Sequence, residues 1–170
     1  IQNPVSTETN DIVSKQKFDE KYYQILRPGC TMAFRREMLP LLEENWRPGT
    51  PHDAVLWTVA SLLEKLYVYD GTFIEYRRHG SNASNEINHG FKYRINAIKR
   101  TKLINEWYLK SVYLDKNKES VVKDCIHWCD LRYKLIGDKK LLNWFKLFKY
   151  RAFYLNNKKY LGDIYYFFKK

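Results

Sequence analysis

Residues 54–66 (AVLWTVASLLEKL) are apolar almost all round, which predicts a helix buried on most of its sides. Just before it, residues 45–52 (NWRPGTPH) hold two prolines and read as a loop. Within residues 35–44, Met38, Leu41 and Leu42 recur at helical spacing, and Pro40 limits that helix to a short or kinked one. Two β-prone runs, 22–26 (YYQIL) and 30–34 (CTMAF), flank Arg27-Pro28-Gly29. Residues 67–69 and 72–76 predict two more strands, separated by an Asp70-Gly71 turn. Residues 1–17 are polar and read as a loop or mobile end.

After residue 86 the period becomes helical. Ile87, Phe91, Ile95 and Ile98 share one face. Val121, Val122, Cys125, Ile126, Cys129 and Ile136 form a second stripe, ending at Gly137, a residue suited to a helix C-terminus. A third helix is expected from near Lys139, with Leu141, Trp144, Phe145, Phe148, Ala152 and Leu155 on its apolar stripe. The expected organisation is a polar end over 1–17, a strand-and-helix part over 18–85 and a helical extension over 86–170.

Charge sharpens that boundary. Residues 1–90 carry 10 Lys/Arg and 12 Asp/Glu, a net of −2, and residues 91–170 carry 20 and 7, a net of +13; the sum is the chain's +11. The second half is also aromatic, with 11 Phe, Tyr or Trp in the 27 residues from Trp144 to Lys170. At 170 residues the chain can bury a core of its own. No apolar run approaches the ~18 residues of a spanning helix, and no leader pattern opens the chain. It starts at Ile1 rather than Met, which reads as a processed or partial chain. Three cysteines are too few for a disulfide framework.

Candidate chemistry lies between residues 29 and 82. Thr50-Pro51-His52-Asp53 stands at the mouth of the apolar helix. Thr50 suits the N-cap, Pro51 the first helical position, and Asp53 the capping-box position that complements the positive helix end. Those features make an ordinary helix start. They also hold a carboxylate rigidly at a loop edge, as a general base requires. Further on, Tyr76-Arg77-Arg78-His79-Gly80-Ser81-Asn82 follows a predicted strand. It reads either as a solvated strand end or as an anion or metal site, since arginine grips phosphate and neutral imidazole ligates divalent cations.

Taken in order, Gly29-Cys30-Thr31-Met32-Ala33-Phe34, the helix 35–44, His52-Asp53, Tyr69-Asp70 and YRRHGSN resemble the C-terminal half of a bacterial family 2 glycosyltransferase of the GT-A fold, in its rhamnosyltransferase-like branch. The resemblance covers roughly residues 22–84. It implies an α/β fold: the C-terminal, acceptor-side part of a GT-A domain, with few strands and a buried helix, followed by an all-helical, basic and aromatic-rich extension. It implies inverting transfer of a sugar from a nucleotide-diphosphate donor to a saccharide or lipid-linked acceptor in surface polysaccharide synthesis. Asp53 corresponds to the catalytic base and His79 to a ligand of a divalent cation, Mg²⁺ or Mn²⁺. Gly29, Cys30, His52, Arg77 and Arg78 correspond to substrate-binding positions, the arginines as diphosphate contacts. The family's nucleotide-binding half, with its Asp-x-Asp metal motif, has no counterpart in this sequence. The cation is expected to be held mainly by that missing half, and this fragment alone is expected to be inactive.

Two further clusters need separate readings. Cys125-Ile126-His127-Trp128-Cys129 lacks a second ligand pair for zinc, and its cysteines lie on the apolar stripe, where they pack as small hydrophobes. The basic, aromatic C-terminal segment suits either a packed helical subdomain or a peripheral contact with anionic membrane at the inner, cytoplasmic face. A non-catalytic membrane-docking or protein-interaction module is the alternative function. No nucleic-acid motif is present and the aromatics follow a helical stripe, so nucleic acid is not an expected partner.

Overall fold

Residues 12–71 and 90–169 are described in the computed structural model. In chain order they form strand β1 (Ile12–Lys15), a 3₁₀ turn at Gly29–Thr31, and a second 3₁₀ turn, Arg36–Met38, that runs into helix α1 (Leu39–Asn45). Helix α2 (His52–Leu62) and strand β2 (Tyr67–Asp70) follow. Helices α3 (Phe91–Ser111) and α4 (Lys116–Ile136) come next, then α5 (Leu142–Leu147), a 3₁₀ segment at Phe148–Phe153, and α6 (Asn157–Phe168). The described fold is mostly helical, with one two-stranded antiparallel sheet.

The sheet differs from the expected one. β2 pairs with β1, in register from Ile12↔Asp70 to Lys15↔Tyr67. β1 lies inside the stretch expected to be loop, because a four-residue strand is too short to stand out from polar neighbours. The expected partner strand 72–76 lies outside the described residues. Neither 22–26 nor 30–34 forms a strand. Tyr22 is instead buried in the helical core, donating its hydroxyl to Asn105 Oδ1 of α3. Tyr23 donates to the Phe153 carbonyl at 2.7 Å. Side-chain contacts with distant helices outweigh the local β preference of these tyrosines.

The helices follow the pattern more closely. Pro40 stands in the first turn of α1, where its missing N–H costs nothing, so it starts that helix rather than kinking it. α2 buries Val55, Trp57, Thr58, Val59, Ala60, Ser61 and Leu62, as an all-round apolar segment should. It stops at residue 62 because Glu64 takes a left-handed φ of 54°. The Lys65 N–H then bonds the Ala60 carbonyl and the Glu64 N–H the Ser61 carbonyl, closing the helix end. α4 ends at Gly137 as expected, with a φ of −76° rather than a left-handed one. A Cβ there would lie 3.0 Å from the Tyr133 carbonyl oxygen and 3.3 Å from the Tyr133 ring, so a larger residue would have to shift that ring by a few tenths of an ångström. Lys139 carries the left-handed φ, 55°. The expected third helix breaks at Tyr150 (φ −103°, ψ 22°).

α3 and α4, joined by residues 112–115, form the principal helix pair. Their core joins Ile98, Tyr108, Val122 and Leu135 with Tyr22, Val55, Val59 and Leu62 from the first half. One apolar core therefore runs across the compositional boundary near residues 85–90. Cys125 and Cys129 are fully buried within it, in agreement with the packing reading. Burial pushes the Cys125 thiol well above its usual range, which keeps it neutral and inert.

A carboxylate without exposed surface, Asp163 of α6, ties the helices together. Arg132 of α4 grips both its oxygens, Nε to Oδ2 at 2.6 Å and Nη2 to Oδ1 at 3.1 Å. Arg94 of α3 donates Nε and Nη2 to Oδ1 at 3.2 and 2.6 Å. The Tyr154 hydroxyl donates to Oδ2 at 2.6 Å. The Arg132 guanidinium lies 4.4 Å from the centre of the Trp128 ring. Burial alone would raise the Asp163 pKa, but Arg132, Arg94 and the Tyr154 hydroxyl outweigh it and hold the carboxyl below the usual range.

Asp163→Asn should leave the buried Arg132 and the half-buried Arg94 guanidiniums without a counter-charge and destabilise the fold by about 3–5 kcal/mol. A depressed carboxyl pKa stabilises the fold above the unfolded value of about 4, and that contribution is lost as pH falls through the folded value. Urea midpoints taken from pH 7 down to acid should fall in the parent, and part of that dependence should be missing in Asp163→Asn. Equal stability of the two proteins at pH 7 would refute the assignment.

Candidate active site

The site is built on a tight turn and a helix start. At Gly29–Thr31 the chain closes a 3₁₀ turn, with the Thr31 N–H and hydroxyl both donating to the Pro28 carbonyl, at 2.9 and 2.7 Å. That turn lies against the first turn of α2. A Cβ added to Gly29 would lie 2.7 Å from both Cβ and Oδ2 of Asp53, and 3.0 Å from its Cγ. Only a residue without a side chain lets the backbone come this close. The φ of Gly29 is not left-handed, so the close approach is what demands glycine here.

Asp53 is half-buried, and its Oδ1 accepts the Ala54 N–H at 2.9 Å. It stands in the first turn, after Pro51 as N-cap. The expected Thr50 cap is not made. The Thr50 hydroxyl turns back to Arg47, accepting its N–H at 3.2 Å and donating to its carbonyl. That loop is braced from several sides. Gly49 takes a φ of +84°, the Trp46 Nε1 donates to the Thr50 carbonyl at 2.9 Å, and the Arg47 guanidinium packs over the Trp107 ring at 5.4 Å. Below the loop, Asn45 is buried, donates to the Leu41 carbonyl and accepts the Ser111 hydroxyl, so α3 anchors the end of α1.

His52 is exposed and stacks flat on Trp46, with ring centres 5.2 Å apart and planes 3° from parallel. Trp46 did not stand out in the sequence as part of the site. The signal that could have revealed it is the Pro48-Gly49 turn, which folds Trp46 back onto the start of α2.

The structure therefore brings Gly29, Asp53 and His52 to one place, with Cys30 exposed on the same turn. Arg77, Arg78 and His79 lie outside the described residues. Among the described residues no three His, Cys, Asp or Glu side chains gather in a way that could hold a metal ion. What the arrangement offers chemically is one fixed carboxylate beside bare backbone, next to an aromatic pair at the surface. Comparison with known protein families, with curated proteins and with solved structures returns no match.

The close approach makes a sharp prediction. Gly29→Ala should cost roughly 1–3 kcal/mol, as overpacking does, because the nearest atom is the fixed Asp53 Cβ rather than a free chain end. Asp53→Ala should not relieve that cost, since it keeps the Cβ, whereas Asp53→Gly should relieve most of it. A double-mutant cycle in urea reads both couplings, and additive effects with Asp53→Gly would show that the two residues do not press on each other.

Proposed function

We propose that this chain is the acceptor-side part of an inverting glycosyltransferase of the family 2, GT-A type. Asp53 is the general base. Its free carboxylate capacity accepts the proton of an acceptor hydroxyl, on a saccharide or a lipid-linked saccharide. The hydroxyl oxygen forms the new bond to the anomeric carbon of a nucleotide-diphosphate sugar. The bond from that carbon to the diphosphate breaks, and its electron pair leaves with the diphosphate, inverting the centre. Gly29 and Cys30 offer backbone to the sugar or acceptor, and His52 a polar edge on an aromatic stack. Arg77 and Arg78 are proposed diphosphate contacts and His79 a proposed ligand of the divalent cation. The described residues do not assemble a donor set for that cation.

The observation that carries this reading is the pairing of Gly29 with Asp53. A base must be fixed to within a fraction of an ångström, and a turn pressed on one side of the carboxylate holds it so. A second reading, a non-catalytic docking module, is favoured by the exposed apolar side chains Leu142, Phe145 and Phe148 in and just after α5.

Asp53→Asn, made in protein that also carries the donor-binding half, should lower turnover by ~10²-fold or more. Folding stability should change by only about 1 kcal/mol or less, because the Asn carbonyl can still accept the Ala54 N–H. Release of nucleotide diphosphate measures the first and thermal unfolding the second. Turnover equal to the parent's would reduce Asp53 to a helix-terminus residue.

A further inference from the structure

α5 and the 3₁₀ segment after it turn their apolar stripe outward. Leu142, Phe145 and Phe148 recur every third residue and are 75%, 64% and 63% exposed. Leu141 beside them is exposed as well. The opposite side supplies the core contacts, through Asn143, Leu147 and Phe153. Three large apolar side chains in a row toward water are unusual on a face that needs no partner.

The segment that carries the stripe has charge of one sign. Residues 139–162 contain seven Lys or Arg and no Asp or Glu. Lys146 and Lys149 are exposed along one edge of the stripe, four and three residues from Leu142 and Lys146 respectively. Arg151 lies over the Phe148 ring at 5.3 Å. Not every cation or ring expected at a membrane is available. Lys139 donates its ammonium to the carbonyls of Tyr166, Phe167 and Lys169 and so closes the end of α6. Trp144 is half-buried and stacks on Tyr160 at 5.4 Å.

We propose that this face docks the protein on an anionic lipid surface. Leu142, Phe145 and Phe148 enter the boundary between headgroups and acyl chains, and Lys146 and Lys149 meet the lipid phosphates and carboxylates. The positive charge of this segment fits a negative bilayer surface, and the rings and leucines supply the apolar contact that lysines alone lack. Among the described residues no helix is long and apolar enough to cross a membrane, so the attachment is peripheral for this segment. The inference does not rest on glycosyl transfer, and its test measures no turnover.

Flotation of the 170-residue chain with vesicles decides the matter. One set is phosphatidylcholine alone, and the other has about one third phosphatidylserine. Binding should require phosphatidylserine and decline as salt rises, because the Debye length is only about 8 Å at physiological strength. Lys146→Gln with Lys149→Gln should weaken binding roughly 25-fold, at about fivefold per lysine. Leu142→Ser, Phe145→Ser and Phe148→Ser together should abolish it and leave the unfolding temperature near the parent's, as all three are exposed. Point variants are required, because deleting 139–170 would strip Leu147, Phe153, Tyr154 and Tyr160 from the core. Equal binding to both vesicle types, binding to neither, or unchanged binding by both variants would overturn the proposal. So would a parent dimer that binds no vesicle and is dissolved by the triple serine variant, which would assign the stripe to a second copy of the chain.

Discussion

A carboxylate buried without water must be matched in charge and in hydrogen bonds, and Asp163 obtains both from three other parts of the chain. Arg94, Arg132 and Tyr154 reach it from α3, from α4 and from the stretch before α6. The geometry permits little alternative packing, because moving any one helix would leave a buried charge unpaired. An apolar core tolerates sliding between similar side chains, whereas this cluster does not. It sets how α6 lies on the α3–α4 pair.

The candidate site depends on that frame indirectly. Tyr22 reaches the centre of the helical core and bonds Asn105 of α3, while Tyr23 bonds the Phe153 carbonyl. The chain then runs about five residues to the turn that presses Gly29 on Asp53. On the other side, Asn45 and Ser111 hold α1 to α3, and the Trp46–Thr50 loop delivers His52 and Asp53 at the start of α2. The turn and the helix that meet at the site are thus both anchored on α3. Such a double anchor gives the fixed placement that proton transfer needs.

The helical extension serves two ends with opposite faces. Its inner side completes the core through Leu147, Phe153 and Tyr154. Its outer side keeps Leu142, Phe145 and Phe148 in water beside lysines. The change from α to 3₁₀ geometry near residue 148, with the kink at Tyr150, divides these roles, since it turns Phe153 inward while Phe148 stays out.

Several features were legible in the sequence because they are local. The buried helix α2 follows from an unbroken apolar run, and α3 and α4 from helical periodicity. The packing of Cys125 and Cys129 follows from their four-residue spacing on one stripe. The proximity of Asp53 to a helix start was likewise readable from Thr50-Pro51. Tertiary structure decided what depends on partners distant in the chain. It packed Tyr22 and Tyr23 of a β-prone run into and against the helical core, paired β2 with residues 12–15, and turned the apolar stripe of α5 outward. It placed Gly29 on Asp53 and His52 on Trp46, contacts that no local pattern encodes. Asp163 shows the reason most plainly. A single acidic residue in a basic segment carries no periodic signal, and its role exists only where two arginines and a tyrosine from elsewhere converge on it.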